Sequence, residues 1–218
     1  MPGTLSLTDF ASVTVKSIAP TITTIAISGV RQSKQIAGQY WEIDAEYAHL
    51  DRKEFARVMG FLSKQRNSLY SFSLIVPVLS NTAGTVATVA LANPGDSTVM
   101  TITANAATGA STVLFDTAYN SAKFSAAGVS ASEGLLAGDF VKFSNHNKVY
   151  QLIEDVAFNG SGGGTLTFFP NLTDAVTTSD TVVYTSVPFT VFSKNDTQEY
   201  QYGIGGENSV ELSLQEAL

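Results

Sequence analysis

The chain has 218 residues, of which 44% are hydrophobic and only 14% are charged, and its net charge is −7. The absence of cysteine excludes disulfides and thiolate metal ligands, and two histidines are too few for a multi-histidine site. The acidic balance argues against sequence-independent nucleic-acid binding, which needs basic side chains to neutralise phosphates. No apolar run of about 18 residues predicts a membrane span, and the N-terminus lacks the pattern of a signal peptide, so we expect synthesis in the cytoplasm and no membrane partner.

The N-terminal third begins with two predicted strands and a predicted loop. Residues 11–28 are rich in β-branched side chains, and Pro20 divides them into two short strands. Residues 29–38 carry basic side chains between two glycines, a pattern that predicts a loop.

Residues 38–77 predict a strand, a helix and a second strand. Side chains of residues 40–47 alternate with a period of two, which predicts a half-buried strand. Its two faces are Tyr40, Glu42, Asp44 and Glu46 on one side, and Trp41, Ile43, Ala45 and Tyr47 on the other. The apolar period then changes to 3.6, which predicts a helix over 50–66, and residues 69–76 return to a strand that Pro77 ends.

The predicted helix has a clear start and a clear apolar side. Asp51 occupies the N-cap position, and Glu54 three residues later completes a capping box. We expect the helix to pack on the strand before it through one core cluster. Its members are Trp41, Phe55, Met59 and Leu62.

After Pro77 the composition shifts to Thr, Ala, Gly, Asn and Ser, and short strands dominate the prediction. Residues 121–130 are compatible with either a loop or a short helix. A hairpin is predicted over 135–158 around a turn at 144–147. The other predicted strands are 85–91, 98–103, 112–115, 165–169, 181–185, 188–193, 198–202 and 209–214.

These elements predict a mainly β fold with two domains. Residues 1–79 and 187–218 are expected to form a β-sandwich with the 50–66 helix packed across it. Residues 80–186 are expected to form an inserted small β-barrel of the OB or SH3-like kind, because several short strands lie between proline-bounded edges.

Candidate catalytic groups have simpler structural interpretations. Same-face carboxylates on one strand lie about 6.5–7 Å apart, inside the window of about 5–9.5 Å for glycosidase pairs. No histidine partners Glu42, Asp44 and Glu46, so a solvated strand face is preferred. Asp139 after Gly138 is typical of a turn in which the carboxylate accepts backbone N–H groups. We therefore predict no enzyme activity and no catalytic, cofactor-binding or metal-binding residue.

One aromatic series allows two interpretations. It can form a platform that stacks on sugars, or it can fill the interior of the small barrel, where alternate positions must point inward. The barrel core is the preferred interpretation. The series is Phe140, Phe143, Tyr150, Phe158, Phe168 and Phe169.

Residues 16–80 resemble phage and prophage tail proteins of the distal tail or baseplate-core type. The similarity lies in W-E-I-D-A-E-Y at 41–47, the D-R-K-E-F helix start at 51–55, F-L-S-K-Q-R at 61–66 and F-S-L-I-V-P at 72–77. The approach R-Q-S-K-Q at 31–35 followed by G-Q-Y-W at 38–41 is similar too, whereas Asn67 stands where the family often has glycine. A looser similarity to inserted β modules of such proteins runs from Leu136 to Pro170.

The resemblance implies a structural virion protein that forms a ring, most often a homohexamer, at the tail tip or baseplate. The ring would join the tail tube to hub proteins or to peripheral fibres. The alternative is a viral-attachment role, in which the inserted barrel is an adaptor for a host glycan or a receptor-binding protein.

Charge is unevenly distributed, which suggests where subunits meet. Residues 1–75 hold a net charge of +2 and residues 76–218 a net charge of −9. Two explanations stay open: complementary patches between neighbouring subunits, or acidic side chains that only solvate loops. Under the first explanation the expected subunit-interface residues are Arg31, Lys34, Arg52, Arg57, Lys64 and Arg66.

Overall fold

The computed structural model describes residues 10–35, 38–66, 68–96, 98–197, 201–202 and 208–218. Within them the chain is mainly β, as predicted. The strands are β1 Ser12–Ile18, β2 Thr21–Ile25, β3 Arg31–Gln35, β4 Tyr40–Leu50, β5 Phe72–Ile75, β6 Met100–Ile102, β7 Thr112–Asp116, β8 Phe140–Phe143, β9 Val149–Leu152, β10 Gly164–Phe169, β11 Thr181–Val183, β12 Pro188–Ser193, β13 Gln201–Tyr202 and β14 Asn208–Glu216. The helices are α1 Arg52–Gln65, α2 Val86–Ala92 and α3 Ser121–Ala126.

The chain divides into two compact units. The first contains the described residues up to Leu74 together with those from Thr190 on, and the second spans Ile75–Phe189. The predicted mainly β fold with a small closed barrel is confirmed. In place of the two packed sheets of the predicted sandwich, the described residues of the first unit form one six-stranded sheet with α1 packed on it and the exposed β2–β3 pair. That residues 80–186 fold independently stays a prediction.

A six-stranded sheet forms the centre of the first unit. Its order is β1-β4-β14-β12-β5, with β13 paired to β14. The alternation predicted for β4 is confirmed, because Trp41, Ile43, Ala45 and Tyr47 are buried. Helix α1 contacts β4 and β14 and buries its own apolar stripe of Phe55, Val58 and Leu62.

The predicted capping box of α1 is confirmed. The Asp51 carboxylate accepts a hydrogen bond from the backbone N–H of Glu54 at 2.7 Å, and the Glu54 carboxylate accepts one from the N–H of Asp51 at 3.2 Å. The helix ends at Arg66, whose φ of 52° is left-handed. This reversal delays β5, which begins at Phe72 rather than at the predicted residue 69.

The segment that was predicted to be a loop between Gly29 and Gly38 contains a strand. β3 pairs antiparallel with β2 in full register, and the two form a separate two-stranded sheet. The turn between them is closed by a hydrogen bond from the N–H of Ala26 to the carbonyl of Val30 at 2.9 Å. The loop prediction was wrong because the alternation of this polar hairpin carries no apolar signal on β3.

The second unit is a closed barrel with strand order β10-β7-β6-β11-β8-β9. Its core includes the fully buried Phe115, Phe143 and Tyr150. The N–H of Ser186 donates to the carbonyl of Ser80 at 2.7 Å. The first and last residues of the predicted insert are therefore neighbours in space.

Two local predictions in the second unit are settled by the structure. Residues 85–91 were predicted as a strand, which is wrong, because Val86–Ala92 is a helix. Its buried Val86 and Val89 are three residues apart, and the N–H groups of Thr85 and Val86 donate to the carbonyls of Glu133 and Gly134, which holds the first turn in place. Of the alternatives for 121–130, the helix is correct over Ser121–Ala126.

Candidate subunit interface

A fully exposed β-hairpin is the most unusual surface feature of the first unit. We call residues 21–35, which comprise β2, β3 and their turn, the arm. Every residue of β2 and β3 is exposed. Apolar side chains are exposed with them, including Ile25 at 70% and Val30 at 58%. The arm contains two basic residues, Arg31 and Lys34, and no acidic residue.

The register of the arm places its two basic side chains on opposite faces. In the β2–β3 register Ile25 pairs with Arg31 and Ile22 pairs with Lys34, and the two members of a pair share one face. Side chains alternate between the two faces along each strand, so Arg31 and Lys34 lie on different faces. The Arg31 face carries Thr21, Thr23, Ile25, Ser33 and Gln35 as well. The Lys34 face carries Ile22, Thr24 and Gln32. Each face therefore combines one positive charge and one exposed isoleucine with hydroxyl or amide groups.

The face of the six-stranded sheet opposite α1 is polar. We call it the carboxylate face. Its in-register rows run across β1, β4 and β14. The members on these strands are Ser12, Thr14, Lys16, Ile18, Tyr40, Glu42, Asp44, Glu46, Glu211, Ser213 and Gln215. On the neighbouring β12 side, the N–H of Lys194 donates to the carbonyl of Ser213 at 2.9 Å.

Two of the carboxylates on this face are neutralised by lysines. Lys16 lies 2.5 Å from Asp44, and Lys194 lies 2.8 Å from Glu42. The hydrogen bond from Lys16 lowers the pKa of Asp44, and the bond to Glu42 raises the pKa of Lys194. Both pairs are partly exposed, so each contributes little to stability.

The other two carboxylates face each other without a cation. Glu211 is directly opposite Glu46 in the β14–β4 register. Glu46 accepts a hydrogen bond from the Ser12 hydroxyl at 3.2 Å, but within the described residues neither glutamate is paired with a basic side chain. Like charges directly opposite one another on neighbouring strands are destabilising. This pair leaves the carboxylate face with two negative charges in excess.

Shallow depressions surround this pair. One of about 510 Å³ is lined by Lys194, Glu211 and Ser213, and one of about 340 Å³ is lined by Glu46, Glu211 and Ser213. Because Glu211 and Ser213 line both, the two depressions adjoin on this face of the sheet.

The expected interface residues fall into two separate groups. Arg31 and Lys34 are on the arm. Arg52, Arg57 and Lys64 are exposed side chains of α1, and Arg66 is its C-cap, with the guanidinium 6.0 Å from the centre of the Tyr70 ring. Their role in subunit contacts stays a prediction.

Three of the four expected core residues are fully buried. Trp41, Phe55 and Leu62 are 2–3% exposed, whereas Met59 is only half-buried. Trp41 lies on the face of β4 that α1 covers. That all four form a single cluster stays a prediction.

The residues considered for catalysis or sugar binding have structural roles. Asp139 accepts hydrogen bonds from the N–H groups of Ala83 at 2.7 Å and Leu136 at 3.0 Å, which confirms the turn interpretation. Of the six aromatic residues, four are buried in the barrel core, Phe140 is buried against Phe189, and Phe169, at 38%, is exposed. No cluster of His, Asp and Glu among the described residues is arranged to hold a metal ion.

Sequence reasoning missed the arm as a unit and the Glu46–Glu211 pair. The arm had a detectable signal, since T-I-T-T-I precedes an S-G turn. The glutamate pair had none, because the two residues are 165 positions apart and only the β14–β4 register brings them together.

A scan against protein-family models and a search of curated proteins found no match to this chain. None of the helices within the described ranges has the length and hydropathy needed to cross a membrane.

Proposed function

We propose that this chain is a structural subunit of a phage tail that forms a ring at the tail tip or baseplate. In this role it joins the tail tube to hub or peripheral fibre proteins. The observation that supports the proposal is the arm. A two-stranded hairpin is at best marginally stable in water, and the described residues of the chain leave both faces of this one uncovered. A subunit that is completed by a neighbour has this property.

The position of the arm supports the same role. The residues that resemble tail proteins, 16–80, include the arm, β4 and α1. The similarity therefore covers the exposed hairpin and the sheet that anchors it. A glycan adaptor has less support, because the aromatic side chains suited to stacking on sugars are mostly inside the barrel.

Incorporation into particles tests the proposal. We expect an epitope-tagged chain, produced together with the other tail proteins, to be found at the tail tip by immunogold electron microscopy. Changing Arg31, Lys34 and Arg66 together to Glu should block incorporation while the purified chain stays folded. Lys53→Glu, at another exposed basic position, is the control and should be incorporated. Particles that form at normal yield and lack the wild-type chain would contradict the proposal.

A further inference from the structure

The arm needs a partner surface, and its composition defines what that surface must offer. All ten strand residues are exposed, so packing within the described chain contributes little to holding them. The arm presents a net charge of +2, hydroxyl and amide groups, and exposed apolar side chains such as Ile25 and Val30. A complementary surface must be extended and acidic, with some apolar area for these side chains.

The carboxylate face meets this description. It has an excess of two negative charges, located at Glu46 and Glu211, and its remaining groups are hydroxyls, amides, neutralised ion pairs and the Ile18–Tyr40 pair at one end. The depression of about 340 Å³ is lined by both glutamates, which are therefore accessible. The arm of a given chain does not cover its own sheet in this way, because its strand residues are exposed.

We propose that the arm docks on the carboxylate face of a second copy of this chain, with Arg31 placed between Glu46 and Glu211 of that copy. The donor and acceptor surfaces are different patches of one chain, so the contact is head-to-tail and closes into a ring when the rotation allows it. This docking supplies the contact between subunits of the ring proposed above. It depends on the proposed function only for the location of that ring in the tail.

Arg31 suits this position better than Lys34. The two glutamates are in direct register, so their carboxylates flank a narrow space. A planar guanidinium offers five N–H donors and can bond to two carboxylates at once, whereas an ammonium is a point charge. The Arg31 face of the arm also carries more hydrogen-bonding side chains than the Lys34 face. Only one face of a hairpin can lie on a sheet, so Lys34 would remain in solvent.

Self-association of the full-length chain tests the docking, and Lys34→Glu is a matched control for Arg31→Glu. We expect wild-type protein to associate in sedimentation velocity experiments at low ionic strength, and added salt to weaken the association. Arg31→Glu should raise the dissociation constant at least ~10-fold, since two attractive pairs become repulsive. Lys34→Glu should raise it less than ~3-fold. Equal effects of the two reversals would show that only general charge matters and would overturn the proposal.

Mixing two defective variants provides a second test. A chain with Glu46→Lys and Glu211→Lys has a reversed face and a normal arm, whereas Arg31→Glu has a reversed arm and a normal face. We expect each variant alone to associate poorly and the mixture to associate. Where the two variants alternate, each contact joins an arm and a face of opposite charge. Circular dichroism of each variant confirms folding. A mixture that remains dissociated overturns the proposal.

Introduced thiols then locate the contact, because the chain has no cysteine of its own. Ser33 lies on the Arg31 face of the arm, and Ser213 lies on the carboxylate face beside Glu211. A Ser33→Cys chain should form a disulfide with a Ser213→Cys chain, and a Gln32→Cys chain, with its thiol on the other face of the arm, should not. Wild-type protein that stays monomeric at millimolar concentration and gives no such disulfide overturns the inference.

The two proposals fail in distinguishable ways. If the chain is incorporated into tails but the Ser33 thiol links to another tail protein, the proposed function stands and the docking inference is wrong. If the purified chain associates as described but is absent from particles, the docking inference stands and the proposed function is wrong.

Discussion

Two buried tyrosines of the barrel core differ in the hydrogen-bond partners of their hydroxyl groups. Tyr119 and Tyr150 are both 0% exposed. The Tyr150 hydroxyl contacts His146 at 2.7 Å and Thr173 at 3.0 Å. The Tyr119 hydroxyl has no hydrogen-bond partner among the described residues. Burial is also the main reason that the pKa of Tyr119 is raised. An unpartnered buried hydroxyl costs stability, because it gives up its bonds to water without replacement.

We therefore expect Tyr119→Phe to leave the free energy of unfolding unchanged or to raise it. Tyr150→Phe is the matched control and should cost about 0.5–1.5 kcal/mol, because it removes the hydrogen bonds of the buried hydroxyl with His146 and Thr173. Urea denaturation of the two variants measures the difference. An equal loss in both would mean that a buried water holds the Tyr119 hydroxyl.

Phe55 is the buried anchor of α1, and its removal tests how the helix is held. Phe55→Ala should cost about 3–5 kcal/mol, the range for large-to-small changes in a packed core. Arg57→Ala, two residues further along the same helix and exposed, should change stability by less than about 0.5 kcal/mol. A loss below about 1 kcal/mol for Phe55→Ala in chemical denaturation would show that α1 is not held by this side chain.

At the scale of elements, Asn145 and Tyr150 bond the β8–β9 hairpin to the segment after β10, and His146 lies between these two side chains. Its Nδ1 lies 2.7 Å from the Asn145 side-chain oxygen and its Nε2 lies 2.7 Å from the Tyr150 hydroxyl. Asn145 donates its amide to the carbonyl of Ala175, which turns its oxygen toward the histidine. In the neutral ring the proton is therefore on Nδ1, and Nε2 accepts a hydrogen bond from the Tyr150 hydroxyl.

The hydrogen bonds of the neutral His146 ring predict a loss of stability in mild acid. Burial lowers the pKa of His146; Asp174 and Asp180 raise it, and Lys142 lowers it further. A lowered value in the folded state means that the unfolded chain binds the proton more readily. The stability that the fold gains by keeping His146 neutral is present in full above the ordinary histidine pKa of 6.5. It is lost as the pH falls through the lowered pKa of His146 in the folded state.

The measurement is the free energy of unfolding from neutral pH down to about pH 5. We expect the His146→Gln variant to show a smaller decline than the wild type over this range. His49 is the only other histidine and is unchanged in both proteins, so the difference isolates His146. Parallel curves would contradict the prediction.

Elements were predictable where local chemistry and tertiary packing agree. The 40–47 strand and α1 carry a clear period together with a capping box, and both form as expected. The short apolar run T-V-A-T-V-A-L fits either a strand or a helix, and contacts with residues 133–134 select the helix. Part of the carboxylate face was predictable, because the alternation along β4 places its three acidic residues on one side. Glu211 was not, because only the β14–β4 register brings it to this face.

At the scale of the whole molecule, the neighbouring ends of the barrel segment make a deletion feasible. Ser80 and Ser186 are hydrogen-bonded to each other, so joining Leu79 directly to Val187 requires little rearrangement of the backbone. The deletion leaves both β5 and β12 intact, because β5 ends at Ile75 and β12 begins at Pro188.

We expect the remaining residues, 1–79 joined to 187–218, to fold. Far-UV circular dichroism and the dispersion of amide NMR signals report the outcome. The 80–186 segment expressed alone is the complementary control and should also fold, because it contains the barrel core. An unfolded remainder beside a folded barrel would show that the sheet depends on the insert.

The arm also affects the chain before any partner is present. A free hairpin has two unpaired edges, and each offers N–H and C=O groups to any other strand. The run T-I-T-T-I-A-I at 21–27 is β-branched and uncharged, which is the composition of segments that stack into fibrils. Arg31 and Lys34 place a positive charge on each face, so two arms that meet directly repel one another. The same charges thereby act as gatekeepers that keep newly made chains from polymerising edge to edge.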